Sequence, residues 1–387
     1  MSDWSGDPVF GDLALRLRPR VLLTLQNEPG SGPSAEATTW TYSAFCRERL
    51  TRDEAASLVG HDGLFYRDVH RDGRAETHLH ALVHSLRACA RDQPLLALLL
   101  AAHDARSRPS GDPRLMGIVN VTPDSFSDGG SFIDPARAIE HGLQLVADGA
   151  KLLDVGGEST RPGSQPVDED EELRRVLPVV RGLVERARVP VSIDTTKASV
   201  ARACLDAGAT IVNDVSGGRF DSQMLTVVAR ARAGYVVMHM LGTPRDMQFE
   251  PHYVDVVGEV LEFLRERCRA ALEAGIDRAQ LCIDPGIGFG KLLEHNVALL
   301  RSLSTLRALG LPILLGVSRK SFIATIEDRA DAPRSSAAQR LGGTLAALTV
   351  GVQAGAEILR VHDVREARQA ALVAHALARR DGVDASA

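Results

Sequence analysis

The spacing of apolar positions along this 387-residue chain changes character near residue 114. Ahead of that point, residues 11 to 26 alternate around Leu13, Leu15 and Leu17, pause at Pro19 and resume with Val21, Leu23 and Leu25. Such alternation predicts half-buried strands. Gly30 to Glu36 is a Gly/Pro/Ser loop, Thr51 followed by Asp53 and Glu54 has the form of a helix start, and Asp72-Gly73 marks a turn. Helices are expected over about 76–91 and 94–105, the second with Pro94 in its first turn. Residues 1–106 therefore form a small α+β module in this reading, with a linker over 107–113 and a larger domain over 114–387.

From residue 114 the pattern repeats. Short apolar runs fall at about 115–119, 151–155, 189–193, 210–213, 235–239, 281–283, 311–317 and 357–361. Between them lie stretches of helical period such as 135–148, 168–188, 197–207, 253–274 and 292–309. Eight strands, each followed by a helix, predict an α/β fold, a closed parallel (β/α)8 TIM barrel. An open doubly wound sheet is the alternative. No strand, however, leads into a G-x-G-x-x-G turn with an acidic residue at dinucleotide spacing, and Pro285 and Lys291 spoil the glycines at 286, 288 and 290.

Polar residues interrupt each repeat at one place. Asn120, Asp154, Asp194, Asn213, His239, Asp284, Ser318 and His362 sit at or just beyond the carboxyl ends of the apolar runs. In a barrel those ends converge on one mouth. Any one of them could be a helix cap or a turn residue. Caps alone do not call for amides and carboxylates on successive strands.

Composition narrows the function. A net charge of −5 argues against a general nucleic-acid binder, which needs a basic face. Five cysteines without a C-x-x-C pair fit neither a disulfide framework nor a zinc ribbon, and read as small buried hydrophobes in a reducing compartment. The start of the chain lacks a basic region followed by an apolar one, and the longest apolar run, Leu95 to Ala102, is far short of a membrane span. A cytoplasmic protein without membrane partners is expected. His80 and His84 are spaced one helical turn apart, with His78 nearby, but lack an evident acidic or cysteine partner for a metal. His70-Arg-Asp72 matches a kinase triplet without the rest of that machinery.

The loops carry the most specific signal. Met116-Gly-Ile-Val-Asn-Val-Thr-Pro-Asp-Ser-Phe-Ser-Asp-Gly-Gly130 is followed by Asp154-Val-Gly-Gly-Glu-Ser-Thr-Arg-Pro-Gly163, Ser192-Ile-Asp-Thr-Thr-Lys197 and Val212-Asn-Asp-Val-Ser-Gly-Gly218. Then come Met238-His-Met-Leu-Gly-Thr-Pro244, Asp284-Pro-Gly-Ile-Gly-Phe-Gly-Lys291, Gly316-Val-Ser-Arg-Lys-Ser-Phe322 and Arg360-Val-His-Asp-Val364. Eight such segments in this order resemble the dihydropteroate synthases, the folate-pathway enzymes that join a pterin to p-aminobenzoate. The resemblance begins at about residue 114 and does not extend to the module before it.

The resemblance implies roles for particular side chains. Asp194, Asn213, Met238, Asp284 and Lys320 would hold the pterin, whose edge offers N–H donors to the carboxylates while an amide both gives and takes. Asn120, Arg161, Arg360 and His362 would hold the diphosphate, since paired guanidinium groups match phosphate oxygens. Asn120 would also ligate a Mg²⁺ that takes its other ligands from phosphate and water. Thr160, Pro162, Phe289 and Ser318 would line the p-aminobenzoate pocket. Asp128, brought in by the loop 122–131, would join Arg161, Lys320, Arg360 and His362 as the catalytic set. The loops 122–131 and 158–165 carry glycines that permit movement over substrate. A homodimer through the later helices is also implied. Two rival readings stay open: a pterin-binding methyltransferase module, and a non-catalytic relative acting through its N-terminal module.

Overall fold

The computed structural model describes residues 21–28, 39–46, 65–71, 74–82, 112–122, 134–160, 163–327 and 333–378. They build two separate sheets. The first is antiparallel, with strands β1 (Val21–Glu28), β2 (Thr39–Cys46), β3 (Phe65–Arg71) and β4 (Arg74–Leu82) in the order β1-β2-β4-β3.

Here the structure corrects the sequence. The helix expected from residue 76 is strand β4 through Leu82, so His78 and His80 lie on a strand and the one-turn spacing with His84 loses its meaning. The physical reason was present at Asp72-Gly73. Arg71 pairs with Arg74 across that two-residue connection, and an Asp-Gly pair is a strong hairpin signal. Residues 11–20, 84 and 94–105 lie outside the described residues.

The second sheet has eight strands, all parallel: β5 (Arg114–Asn120), β6 (Leu152–Gly156), β7 (Val191–Asp194), β8 (Ile211–Asp214), β9 (Gly234–Met238), β10 (Leu281–Asp284), β11 (Leu314–Leu315) and β12 (Ile358–Val361). Their order is β10-β9-β8-β7-β6-β5-β12-β11. Between the two ends, Ile283 pairs with Ile313 and its N–H donates to Pro312 O at 2.9 Å, which nearly closes the ring. The fold is the (β/α)8 barrel. Helices α1 (Pro135–Ala147), α2 (Glu169–Arg186), α3 (Ala198–Asp206), α4 (Met224–Ala231), α5 (Val256–Glu273), α6 (Leu293–Arg301), α7 (Ser321–Ile326), α8 (Leu341–Gln353) and α9 (Val364–Ala378) follow the strands. No helix among the described residues is long and apolar enough to cross a membrane.

Strand period decides what the barrel presents. Met116, Leu152, Val236, Cys282 and Leu314 form one buried cluster with Ile211 and Ile358 packed on it. Residues from seven strands around a ring can meet only in its lumen, so this cluster is the apolar floor. Side chains two residues further along each strand share that face. Those residues are Ile118, Asp154, Asn213, Met238, Asp284, Gly316 and Arg360. Asp194 joins them through its register with Asn213. A layer that carries three acids, an amide and a guanidinium therefore lies directly on an apolar one.

The turn after β10 is fixed by a close backbone crossing. Gly286 has φ of 66°, and an added Cβ would stand 1.8 Å from the carbonyl oxygen of His239. Gly286→Ala combines a left-handed backbone with a backbone collision, and is expected to destabilise the barrel by about 3 kcal/mol or more. Urea denaturation measures it, and a loss below about 1 kcal/mol would show that the turn simply shifts aside.

Candidate active site at the barrel mouth

One guanidinium organises the polar layer. Arg360 donates from Nε to Asp154 Oδ2 at 2.6 Å and from Nη2 to Asp194 Oδ2 at 2.7 Å. Asp154 is fully buried, and the same oxygen accepts from Asn213 Nδ2 at 2.9 Å. Burial opposes charge on Arg360, but Asp154 and Asp194 outweigh it and hold the group more firmly protonated than usual. Burial also lifts Asp194 to about 7, with Arg360 pulling the other way and Asp154 adding to the rise.

Asp284 completes the layer from β10. Its Oδ1 accepts the Gly286 N–H at 2.7 Å. Burial raises its carboxyl, against the pull of Lys320 and of that N–H. Small residues keep the space between the acids open: an added Cβ at Gly156 would lie 3.5 Å from Asp194 Cβ, and one at Gly316 3.8 Å from Asp284 Oδ2. Three carboxylates, Asp154, Asp194 and Asp284, thus face two cations, Arg360 and Lys320. Asp154 Oδ1 and Asn213 Oδ1 are buried without a hydrogen-bond partner. Such a surplus of acceptors favours a flat ligand rich in N–H groups.

Two lysines shape the loop after β10. Lys291 is buried and donates to Gly286 O at 2.9 Å and Phe289 O at 3.0 Å, with His239 Nδ1 at 2.8 Å. Burial, then Lys291, pushes the His239 imidazole well below its usual value, so it is neutral. Lys320 donates to Ile287 O and stands 4.2 Å from the centre of the Phe289 ring. Burial lowers its ammonium to about 8. Phe289 packs on the apolar cluster of Val215, Met238, Met240 and Met247, so Met238 and Phe289, expected at different substrates, share one wall.

The rim comes next. Ser318 Oγ lies 2.9 Å from His362 Nδ1 and accepts the His362 backbone N–H at 3.2 Å. Arg319, at φ of 59°, donates from Nε to Asp363 at 3.0 Å and from Nη2 at 2.5 Å, tying the loop after β11 to that after β12. Asn120 ends β5, half-buried, and Thr160 is half-buried in the loop after β6. No three His, Cys, Asp or Glu side chains among the described residues converge to hold a metal. Asn120 supplies one neutral oxygen, which suits an ion that arrives with most of its ligands. Asp128, Arg161 and Pro162 lie outside the described residues.

The sequence placed most of these residues at one mouth, and the structure differs in two respects. Arg360, expected with the phosphate-binding group, is engaged by Asp154 and by Asp194, the latter expected for the pterin. Asp154, expected at the end of its apolar run, lies in the middle of β6 with two residues of the strand beyond it. It received no role from sequence, although its period with Leu152 was the available signal. The ion pairs of Lys197 with Glu158 and Glu172 were also missed, because no spacing rule joins residues from two loops and a helix.

Comparison with known proteins follows the same lines. The profile of the pterin binding enzymes matches residues 116–362. A curated dihydropteroate synthase from Synechocystis is 45% identical over 263 residues, covering 68% of this chain and 89% of that protein. A solved structure of the Xanthomonas albilineans dihydropteroate synthase with 4-aminobenzoic acid is 49% identical, covers 69% of this chain and 93% of its own, and superposes with a TM-score of 0.64. A Yersinia pestis dihydropteroate synthase in a sulfonamide drug complex is 41% identical, with 69% and 94% coverage and the same TM-score.

Removing Arg360 strands two acids. Arg360→Met is expected to cost about 3–5 kcal/mol at neutral pH, because it leaves buried carboxylates uncompensated. Chemical denaturation tests this, and a loss under about 1 kcal/mol would mean that the acids are neutral without their partner.

Proposed function

The chain belongs to the dihydropteroate synthase family, transferases of folate biosynthesis, and from that premise we propose how its residues divide the reaction. Asp194, Asn213 and Asp284 hold the donor edge of the pterin, Lys320 reaches the ring from the other side, and Met238 packs against it. The lumen layer carries this reading: unmet acceptors lie beside two carboxylates that burial has lifted, over an apolar floor. A ring without those donors leaves the acids unpaired, which is the basis for rejecting it.

The diphosphate belongs to Asn120, Arg161, Arg360 and His362. Asn120 would hold Mg²⁺ as a single amide ligand, and the ion when bound spreads the charge that grows on the leaving group. In the reaction the bond from the pterin methylene carbon to the diphosphate oxygen breaks, its electron pair leaving with the diphosphate. The amine lone pair of p-aminobenzoate forms the new C–N bond, and the nitrogen then sheds a proton. Cationic side chains at the rim stabilise the departing charge. Asp128 stabilises the carbon cation before attack. Thr160, Pro162, Phe289 and Ser318 place the aminobenzoate, and the scheme needs no covalent enzyme intermediate.

Three further readings complete the proposal. Residues 1–106 form a separate module, supported by their own antiparallel sheet. A homodimer is supported by exposed Val350 on α8 and Leu372, Val373 and Leu377 on α9. A cytoplasmic location is supported by the buried free thiols of Cys204, Cys268 and Cys282.

The assay is direct. Purified protein with Mg²⁺ is expected to form 7,8-dihydropteroate from 6-hydroxymethyl-7,8-dihydropterin diphosphate and p-aminobenzoate, with sulfonamides competing against the latter. Folded protein that yields no product refutes the assignment. Residues 107–387 in the same assay report what the leading module contributes, and sedimentation of the whole chain at twice 41.5 kDa checks the dimer.

The pH profile tests the pterin site separately. Below about 7, Asp194 takes up a proton and ceases to accept as a carboxylate. Above about 8, Lys320 loses its charge. The specificity constant kcat/KM for the pterin substrate is therefore expected to peak between these values and fall on both sides. In Asp194→Asn the acid limb should vanish; an acid limb that persists there assigns it to another group.

A further inference from the structure

Beneath the loop after β6, charged side chains from three elements meet. Lys197 lies three residues past Asp194, immediately ahead of α3, and its Nζ donates to Glu158 and, at 2.5 Å, to Glu172 Oε2. Glu172 sits in the first turn of α2, sealed from solvent, and its other oxygen has no partner. Glu158 lies two residues past β6 and is 23% exposed. Burial opposes charge on Lys197, but hydrogen bonds to Glu158 and Glu172 outweigh it, so the ammonium is held above its usual range.

The outer carboxylate does a second thing. Glu158 Oε1 accepts the Val167 N–H at 3.3 Å, so one side chain reaches both ends of the stretch 158–167. Within it Ser164 Oγ donates to Ser159 O at 2.5 Å, and Gly163 N donates to Pro244 O at 3.1 Å. Behind it Arg175 Nη1 holds Gly157 O at 2.9 Å, and Gly157 is pressed on α2, where an added Cβ would lie 2.6 Å from Val176. Thr160 thus stands two residues from an anchor whose other end is the strand of Asp194. The pterin residues do not need this anchor, because strand register and Arg360 already fix them.

We propose that Lys197 is a positioning residue for the aminobenzoate half of the reaction: through Glu158 it ties the stretch bearing Thr160 to the end of β7, and so sets the distance between the two substrates. This rests on the assignment of Thr160 to p-aminobenzoate. A role in stability alone would weaken both substrates together. A positioning role separates them.

The test uses the full chain, with Lys197→Met, Lys197→Arg, Glu158→Gln and Thr160→Val assayed for both substrates, and calorimetry with 6-hydroxymethylpterin. Lys197→Met is expected to raise the KM for p-aminobenzoate between about ten- and a hundredfold, the effect of roughly 1 Å of misplacement. Pterin affinity should stay within about twofold, the mark of an interaction made with one substrate only. Glu158→Gln keeps the shape and leaves Glu172 paired, so it should shift the same constant in the same direction, and it carries the test alone if Lys197→Met does not fold. Lys197→Arg, which keeps the charge, should recover part of the loss. Equal losses for both substrates, or an unchanged aminobenzoate KM in both Lys197→Met and Glu158→Gln, overturn the proposal. A raised KM in those two variants with none in Thr160→Val upholds Lys197 and removes Thr160 from the aminobenzoate pocket.

Discussion

The contact of Arg360 with Asp154 and Asp194 is the constraint on which the mouth depends. Two carboxylates on neighbouring strands repel each other, and Asp154 adds to the rise that burial gives Asp194. Placing one fork between them lets both stay in the lumen. The geometry follows from strand period: Arg360 stands two residues beyond Ile358 of the apolar floor, as Asp154 stands two beyond Leu152. A single slip in the register of β12 would turn that guanidinium to the opposite face.

The two lysines that contact the loop after β10 show how contact chemistry separates support from recognition. An ammonium has three donors. Lys291 has three acceptors close by within the protein, two carbonyls and the His239 ring nitrogen, and is sealed among them. That makes it a strut. Lys320 gives one bond to Ile287 O and otherwise meets the face of Phe289, an arrangement that keeps a positive charge close to the layer of acids. Support by the first places the loop that the second contacts from beyond β11.

Much of this could be read from residues alone, and the limits are physical. Apolar runs with polar ends showed the strands and the mouth, because parallel strands covered on both sides are near-continuous apolar runs whose polar residues gather toward one end. The helix expected over 76–91 failed at β4, where a two-residue Asp-Gly connection outweighed the weak helical pattern beyond it. The depth of Asp154 and the side on which Arg360 sits were not legible, since each depends on which of two strand faces points inward. That choice is made by the whole ring. The Lys197 ion pairs depend on two loops and the start of α2 approaching in space, for which local sequence holds no period.

Stability gives little reason for so many buried charges. When every member of a buried ion cluster is exchanged for apolar residues of similar volume, folding is often unaffected or improved. The floor of this barrel is already of that kind: Met116, Leu152, Val236, Cys282 and Leu314 fill it without a charge. Continuing that packing one layer upward would have met the needs of the fold. A layer of acids held by Arg360, with Gly156 and Gly316 leaving room between them, meets a different need. In the proposed function it keeps hydrogen-bond acceptors dry, fixed and incompletely satisfied for a ring with matching donors, so the same low dielectric that makes unmet acceptors costly would make the filled site selective.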